Sequence, residues 1–200
     1  MTLLPPANKV LTESKSVPIM QHASNNQIPK MRKMTEEHQG CFMLVAETCH
    51  PNLRLSFPNS TKILAGTVAW LVNKLCAAPD METGMKEIFG TTEMMDHAVN
   101  NVTSVHMAKK YPGNMFNLLE YIPISDKIWQ WQITVCVEYL ITELLALAGA
   151  VTVKLEDQEQ FKSTARVNYE DYPLIRPSDI KTAVQNDEDL KHALGGLFKL

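Results

Sequence analysis

Between Ile133 and Val151 the chain repeats one spacing. Ile133, Val137, Leu140, Leu144, Leu147 and Val151 step by four, three, four, three and four, the interval that stacks apolar side chains on one face of an α-helix. Such a face has to be buried, so other helices must lie against it. Glu138 and Glu143 interrupt the same stretch and argue against a membrane span. Helical spacing returns in Ile63, Leu64, Val68, Leu71, Val72 and Leu75, and no strand-like alternation persists anywhere. The expected fold class is all-α.

Caps and breakers divide the chain. Residues 1–34 are rich in Asn, Gln, Ser, Pro and Lys without periodicity and read as a flexible basic arm. Thr35 caps a helix over about 36–48 that stops before His50-Pro51; Asn59-Ser60-Thr61 caps a second that ends near Pro79. Residues 80–90 read as a connection with one helical turn at Lys86 to Phe89. A helix from Thr92-Glu93 to about Lys110 follows, then a short one over Asn114 to Tyr121. Ser125-Asp126 caps the long helix. Residues 150–175 read as a polar surface insertion, after which Ser178-Asp179 caps a helix over Ile180 to Gln185, with another over Glu188 to Leu194. The pattern short–long–short occurs twice.

The formal net charge is −3, unevenly spread. Residues 1–40 carry five basic against three acidic groups, residues 41–136 seven against eight, and residues 137–200 seven against eleven. Cys41, Cys49, Cys76 and Cys136 show no CxxC pairing and read as buried thiols; a zinc site on Cys41, Cys49 and His50 lacks a fourth ligand. No secretory signal is apparent, so Asn59-Ser60-Thr61 and Asn101-Val102-Thr103 are not expected to carry glycans. There is no GxxxxGK[ST], no GxGxxG after a strand and no HExxH, so neither an enzyme nor a cofactor is expected. Trp129, Trp131 and the eleven methionines read as packing residues.

Two segments carry a specific resemblance. VEYLITELLALAG (137–149) and RPSDIKTAVQNDEDLKHALGG (176–196) resemble the long central helix and third helix of a 2A-type core histone. The first half resembles a 2B-type histone: His50-Pro51 at the end of helix one, Val72-Asn73 in the long helix, Lys86-Glu87-Ile88 at the third-helix start, and Glu93 with HAVNNVTSVHMAKKY (97–111) as the C-terminal helix. Tyr111-Pro112 resembles the Phe-Pro that opens a 2A-type helix one. Over about residues 30–196 the chain is similar to the fused 2B–2A histone doublets of marseillevirus-type giant viruses, in a shortened version.

The resemblance implies two histone folds fused in one chain and paired in an intramolecular handshake: a tail over 1–34, a 2B-like fold over 35–111 and a 2A-like fold over 112–200. It implies two DNA-facing loop pairs, one combining Arg54, Ser60, Thr61 and Lys62 with Arg176 and Ser178, the other Lys86 with Ser125 and Lys127. Lys30, Arg32 and Lys33 would pass between DNA gyres. Glu93, Glu138, Glu143, Asp187, Glu188 and Asp189 would form an acidic patch for a basic peptide; Ala146 and Asn101 stand where the family has acids. Glu138 and Glu143 are about 140° apart on a helix, so other elements must complete the patch.

The implied function is a structural chromatin protein that joins a fused histone 4–3-like partner and wraps double-stranded DNA without sequence specificity, in a virion, viral factory or host nucleus. Three departures point to an open, unstable particle. The first long helix ends early at Pro79, the C-terminal docking segment is mostly absent before Leu200, and helix one carries Asn114, Asn117 and Glu120 where the family has arginines. The rival expectation is an acidic tandem histone fold that binds proteins and not DNA, like that of some Ras exchange factors. A histone-fold transcription factor subunit would need sequence preference that these loops do not encode.

Overall fold

The structure, a computed structural model, describes residues 30–108, 118–156 and 172–200. Its described elements run α1 (Glu36–Gln39), α2 (Cys41–Cys49), β1 (Arg54–Leu55), α3 (Asn59–Ala77), α4 (Met81–Phe89), α5 (Glu93–Ala108), a 3-10 turn (Leu118–Glu120), α6 (Lys127–Glu156), β2 (Leu174–Ile175), α7 (Pro177–Asn186) and α8 (Glu188–Phe198). The described residues are all-α apart from one two-residue strand pair, too short for any alternation to show in sequence.

α6 is the organising element. Asp126 caps it, its carboxylate accepting from the Trp129 amide at 2.9 Å. Trp129, Ile133, Val137, Leu140, Ile141, Leu144, Leu145 and Ala148 are buried, and α2, α3, α4, α5 and α7 all pack on it. Length and composition would let this helix cross a membrane, but here its apolar face is the floor of the core. That core is one cluster drawing on both halves of the chain: Phe42, Leu64, Leu71, Met85 and Phe89 join Trp129, Ile133, Leu144, Ile180 and Leu194. Neither half has an independent interior, so each stabilises the other.

Local boundaries differ from expectation in instructive places. Gly40 divides the expected single first helix into α1 and α2. Residues 80–90 are not a connection with one turn at Lys86: Asp80 accepts from the Thr83 amide at 2.8 Å and starts a full helix at Met81. Residues 30–34 are not part of a free arm. Met31 and Met34 are buried, the Met31 amide donates to Asn73 Oδ1 at 2.7 Å, and the Arg32 amide donates to the Tyr121 carbonyl at 3.2 Å. Residues 1–29, the first part (114–117) of the helix expected over Asn114 to Tyr121, and most of the expected insertion (157–171) lie outside the described residues. α6 itself takes the insertion's first residues, continuing to Glu156.

The two halves meet along a seam marked by histidines. His38 stacks edge-on against Tyr121, with centroids 4.7 Å apart. His50 Nε2–H donates to the Ala146 carbonyl at 2.7 Å and lies against Gly149, where a Cβ would fall on the imidazole ring. His97 contacts Tyr139, and His192 covers Gly90, whose φ of +64° suits glycine and whose missing side chain leaves room for the ring. His50, at the end of α2, thus touches α6 at Ala146 and Gly149, while the strand pair joins the segment before α3 to the segment before α7.

Candidate functional site

A strand pair ties the two halves together. β1 and β2 are parallel, Arg54 opposite Leu174 and Leu55 opposite Ile175. The Arg54 amide donates to the Pro173 carbonyl at 2.9 Å and the Ser56 amide to the Ile175 carbonyl at 3.0 Å. The segment before α3 is thereby bonded to the segment before α7. Asp179 secures the other side. Its buried carboxylate accepts from the Arg176 amide at 2.8 Å and from the Thr152 hydroxyl at 3.1 Å, tying α7 to the end of α6.

Several expected residues come together here. Arg54 and Arg176 flank the strands, with Arg176 and Ser178 exposed, and Lys62 is exposed in the first turns of α3. Lys62 also lines a groove with Arg32 and Lys33, floored by Met31, Met34, Ala65 and Ala69. Glu36 lines this groove as well, while Arg54 and Arg176 stand at the strand pair. No acidic residue occurs between Glu47 and Asp80, so the segment that carries Arg54 and Lys62 is basic although the chain is acidic.

Two residues expected there have another role. Ser60 and Thr61 are both 0% exposed. Ser60 Oγ donates to the Ile175 carbonyl at 2.9 Å and Thr61 Oγ1 to the Pro58 carbonyl at 3.1 Å. Their hydroxyls brace the loop and present nothing to a ligand. Pro58, not a hydroxyl side chain, precedes the helix, and α3 has no side-chain cap. Ser178 Oγ, though exposed, donates to Asp179 Oδ1 at 3.2 Å.

Lys86, expected at a helix start, stands elsewhere in its own element. It lies in the last turn of α4, and its Nζ is 2.6 Å from Glu82. At the start of α6, Asp126 already accepts from the free amide at Trp129 and adds a negative charge where an anion would have to sit. α3 stops at Ala77 and leaves only Ala78, Pro79 and Asp80 before α4.

The opposite charge gathers elsewhere. Glu93 at the start of α5, Glu143 on α6 and Asp189 at the start of α8 surround Tyr139. Burial, with the fields of Glu143, Asp189 and Glu93 behind it, pushes the Tyr139 phenol up to about 12. Asp189 Oδ2 accepts from the Met94 amide at 3.4 Å, so α5 and α8 meet at this face. His97 bridges it, with Nε2 3.9 Å from Glu93 and Nδ1 3.3 Å from the Tyr139 hydroxyl. The Glu93 side chain is 85% exposed. Of the other expected acids, Asp187 caps α8 by accepting from the Leu190 amide at 2.8 Å, and Glu188 pairs with Lys191 at 3.5 Å. Glu138 lies towards α2, where its charge helps raise the Cys41 thiol. Tyr139 and His97, the centre of this face, were not expected; the signal was there, since His97 follows Glu93 by one helical turn.

The four cysteines are free; burial holds Cys41, Cys76 and Cys136 up at about 12 and raises Cys49, so all are protonated thiols at neutral pH. Among the described residues no group of three His, Cys, Asp or Glu is arranged to hold a metal ion. Compared with protein-family models and with curated proteins, the chain finds no match.

Proposed function

We propose that the chain is a structural chromatin protein: a histone 2B-like fold (35–111) and a histone 2A-like fold (112–200), fused and paired in an intramolecular handshake. In this reading it belongs with the shortened doublets of marseillevirus-type giant viruses. It joins a fused histone 4–3-like partner and wraps double-stranded DNA without sequence specificity, in an open nucleosome-like particle of a virion, viral factory or host nucleus. It needs no cofactor and no small-molecule substrate, and its acidic face takes a basic peptide.

The observation that carries this reading is the parallel β1–β2 bridge. A handshake sets the first loop of one fold beside the second loop of the other. Here the loop before α3 is hydrogen-bonded to the loop before α7, with Arg54, Lys62 and Arg176 around it. Cations so placed neutralise phosphates and release counterions, and Lys30, Arg32 and Lys33 extend the same basic end. Fusion replaces a bimolecular pairing step by an intramolecular one, which suits folds with a common core.

A second reading, an acidic tandem histone fold that binds proteins and not DNA, draws on the other end of the molecule. Lys86 is spent on Glu82 and Asp126 occupies the start of α6, so one basic loop pair remains instead of two. A salt titration of DNA binding, by the chain alone and with a histone 4–3-like doublet, separates them. Lys30, Arg32, Lys33, Arg54, Lys62 and Arg176 set the slope of log K against log salt at no steeper than about −5. Binding that is absent at every salt concentration, with and without the partner, leaves the interaction module.

A further inference from the structure

Phe57 is the one aromatic among the exposed large apolar side chains of the described residues, 51% exposed at the basic end. Its backbone is not loose. The Ser56 amide and the Ser60 hydroxyl both donate to the Ile175 carbonyl, at 3.0 and 2.9 Å, so the loop is clamped to β2 on either side of Phe57. The Ser60 amide bonds back to the Ser56 carbonyl at 2.9 Å, and Thr61 and Lys62 bond to the Pro58 carbonyl. A loop this heavily tied could have turned the ring inward; it holds the ring in water instead. Arg176 follows the clamping residue, Lys62 lies one turn into α3, and no carboxylate occurs in the sequence between Glu47 and Asp80. An apolar partner surface flanked by negative charge complements that arrangement, and base steps between phosphates are such a surface.

Resting on the DNA-binding reading above, we infer that Phe57 is a wedge: at the β1–β2 end its ring enters the DNA minor groove and partly unstacks a base step while Lys62 and Arg176 hold the flanking phosphates. The wedge adds a preference for easily unstacked pyrimidine–purine steps to an otherwise sequence-blind grip.

The test uses the full chain and a duplex carrying 2-aminopurine next to a TA step. Wild type is expected to raise 2-aminopurine fluorescence on binding. Phe57→Ala is expected to lose that rise and to weaken binding about tenfold, with unchanged salt slope because no charge is removed. Phe57→Trp keeps the rise. Circular dichroism confirms that both variants fold. Salt-dependent binding with equal affinity and fluorescence in wild type and Phe57→Ala overturns the wedge and leaves the DNA-binding reading standing. So does loss of the rise in Phe57→Trp. No salt-dependent binding by wild type overturns both.

Discussion

Two mid-helix glycines set helix propensity against packing. Propensity alone gives Gly66→Ala in α3 and Gly149→Ala in α6 the same gain, roughly 0.8–1 kcal/mol. Their surroundings differ completely. Around Gly66 nothing lies within 4 Å of the place a Cβ would take. At Gly149 the Cβ would fall on the imidazole of His50, whose Nε2–H donates to the Ala146 carbonyl one turn earlier. To admit the methyl group, His50 must shift or the helix must back away. Overpacking costs about 1–3 kcal/mol and the lost hydrogen bond about 1 kcal/mol, against a propensity gain of about 1 kcal/mol. Gly149→Ala is therefore expected to destabilise by about 1–3 kcal/mol, and Gly66→Ala to stabilise by somewhat under about 1 kcal/mol. For a chain of this size each kcal/mol moves Tm by roughly 2–4 °C, so melts followed by circular dichroism should move in opposite directions. In a His50→Ala background Gly149→Ala should become neutral or stabilising, a coupling that a double-mutant cycle reads directly. If Gly149→Ala raised Tm as Gly66→Ala does, the close contact between the two halves at His50 would be refuted.

Other expectations follow from the charges and caps. Arg176→Ala and Lys62→Ala should each weaken DNA binding and reduce the salt slope by about 1, while Lys86→Ala and Lys127→Ala leave both nearly unchanged in the same titration. Asp179→Ala removes a buried acceptor from the Arg176 amide and the Thr152 hydroxyl; urea unfolding should read a loss of about 2–3 kcal/mol. Tyr139 ionises at about 12 in the folded chain and near about 10 when unfolded. Its contribution is complete below the lower value and is lost as pH rises towards the upper one, because the unfolded chain gives up its proton first. In an absorbance titration Glu143→Gln should bring this phenol to lower pH.

The parts legible in sequence were those governed by local rules. The step of Ile133 to Val151 announced α6, and Thr35, Thr92, Asp126 and Asp187 sit at starts that short polar side chains prefer. α4 begins well before the turn that Lys86 to Phe89 suggests, because the Asp80 carboxylate decides where the helix starts. Ser60 and Thr61 show a different difficulty. Hydroxyls at a helix start look the same in sequence whether they face a phosphate or a neighbouring carbonyl. Only the non-local pairing of residues 54–55 with 174–175 buries them. Of the acids expected on one face, only Glu93, Glu143 and Asp189 act on Tyr139, and that grouping, with His97, depends on how α5, α6 and α8 converge.

A net charge of −3 looks incompatible with holding DNA only if charge acts as a total. At physiological ionic strength the Debye length is about 8 Å, so groups separated by more than that barely feel one another through solvent. The carboxylates around Tyr139 belong to α5, α6 and α8, whereas Lys62, Arg54 and Arg176 belong to the β1–β2 end. Sets of groups farther apart than that length act each with its own sign. What the excess of acids changes is the long-range field: at low salt the acidic face repels approaching DNA and slows association, while the contact itself still depends on the local cations. A chain built this way should bind DNA more weakly than an all-basic one, and association should depend less steeply on salt than dissociation does. Stopped-flow rates at several salt concentrations test this. A strongly salt-accelerated dissociation with an almost flat association rate is the expected result, and the reverse pattern would mean that the basic end does not act independently of the rest.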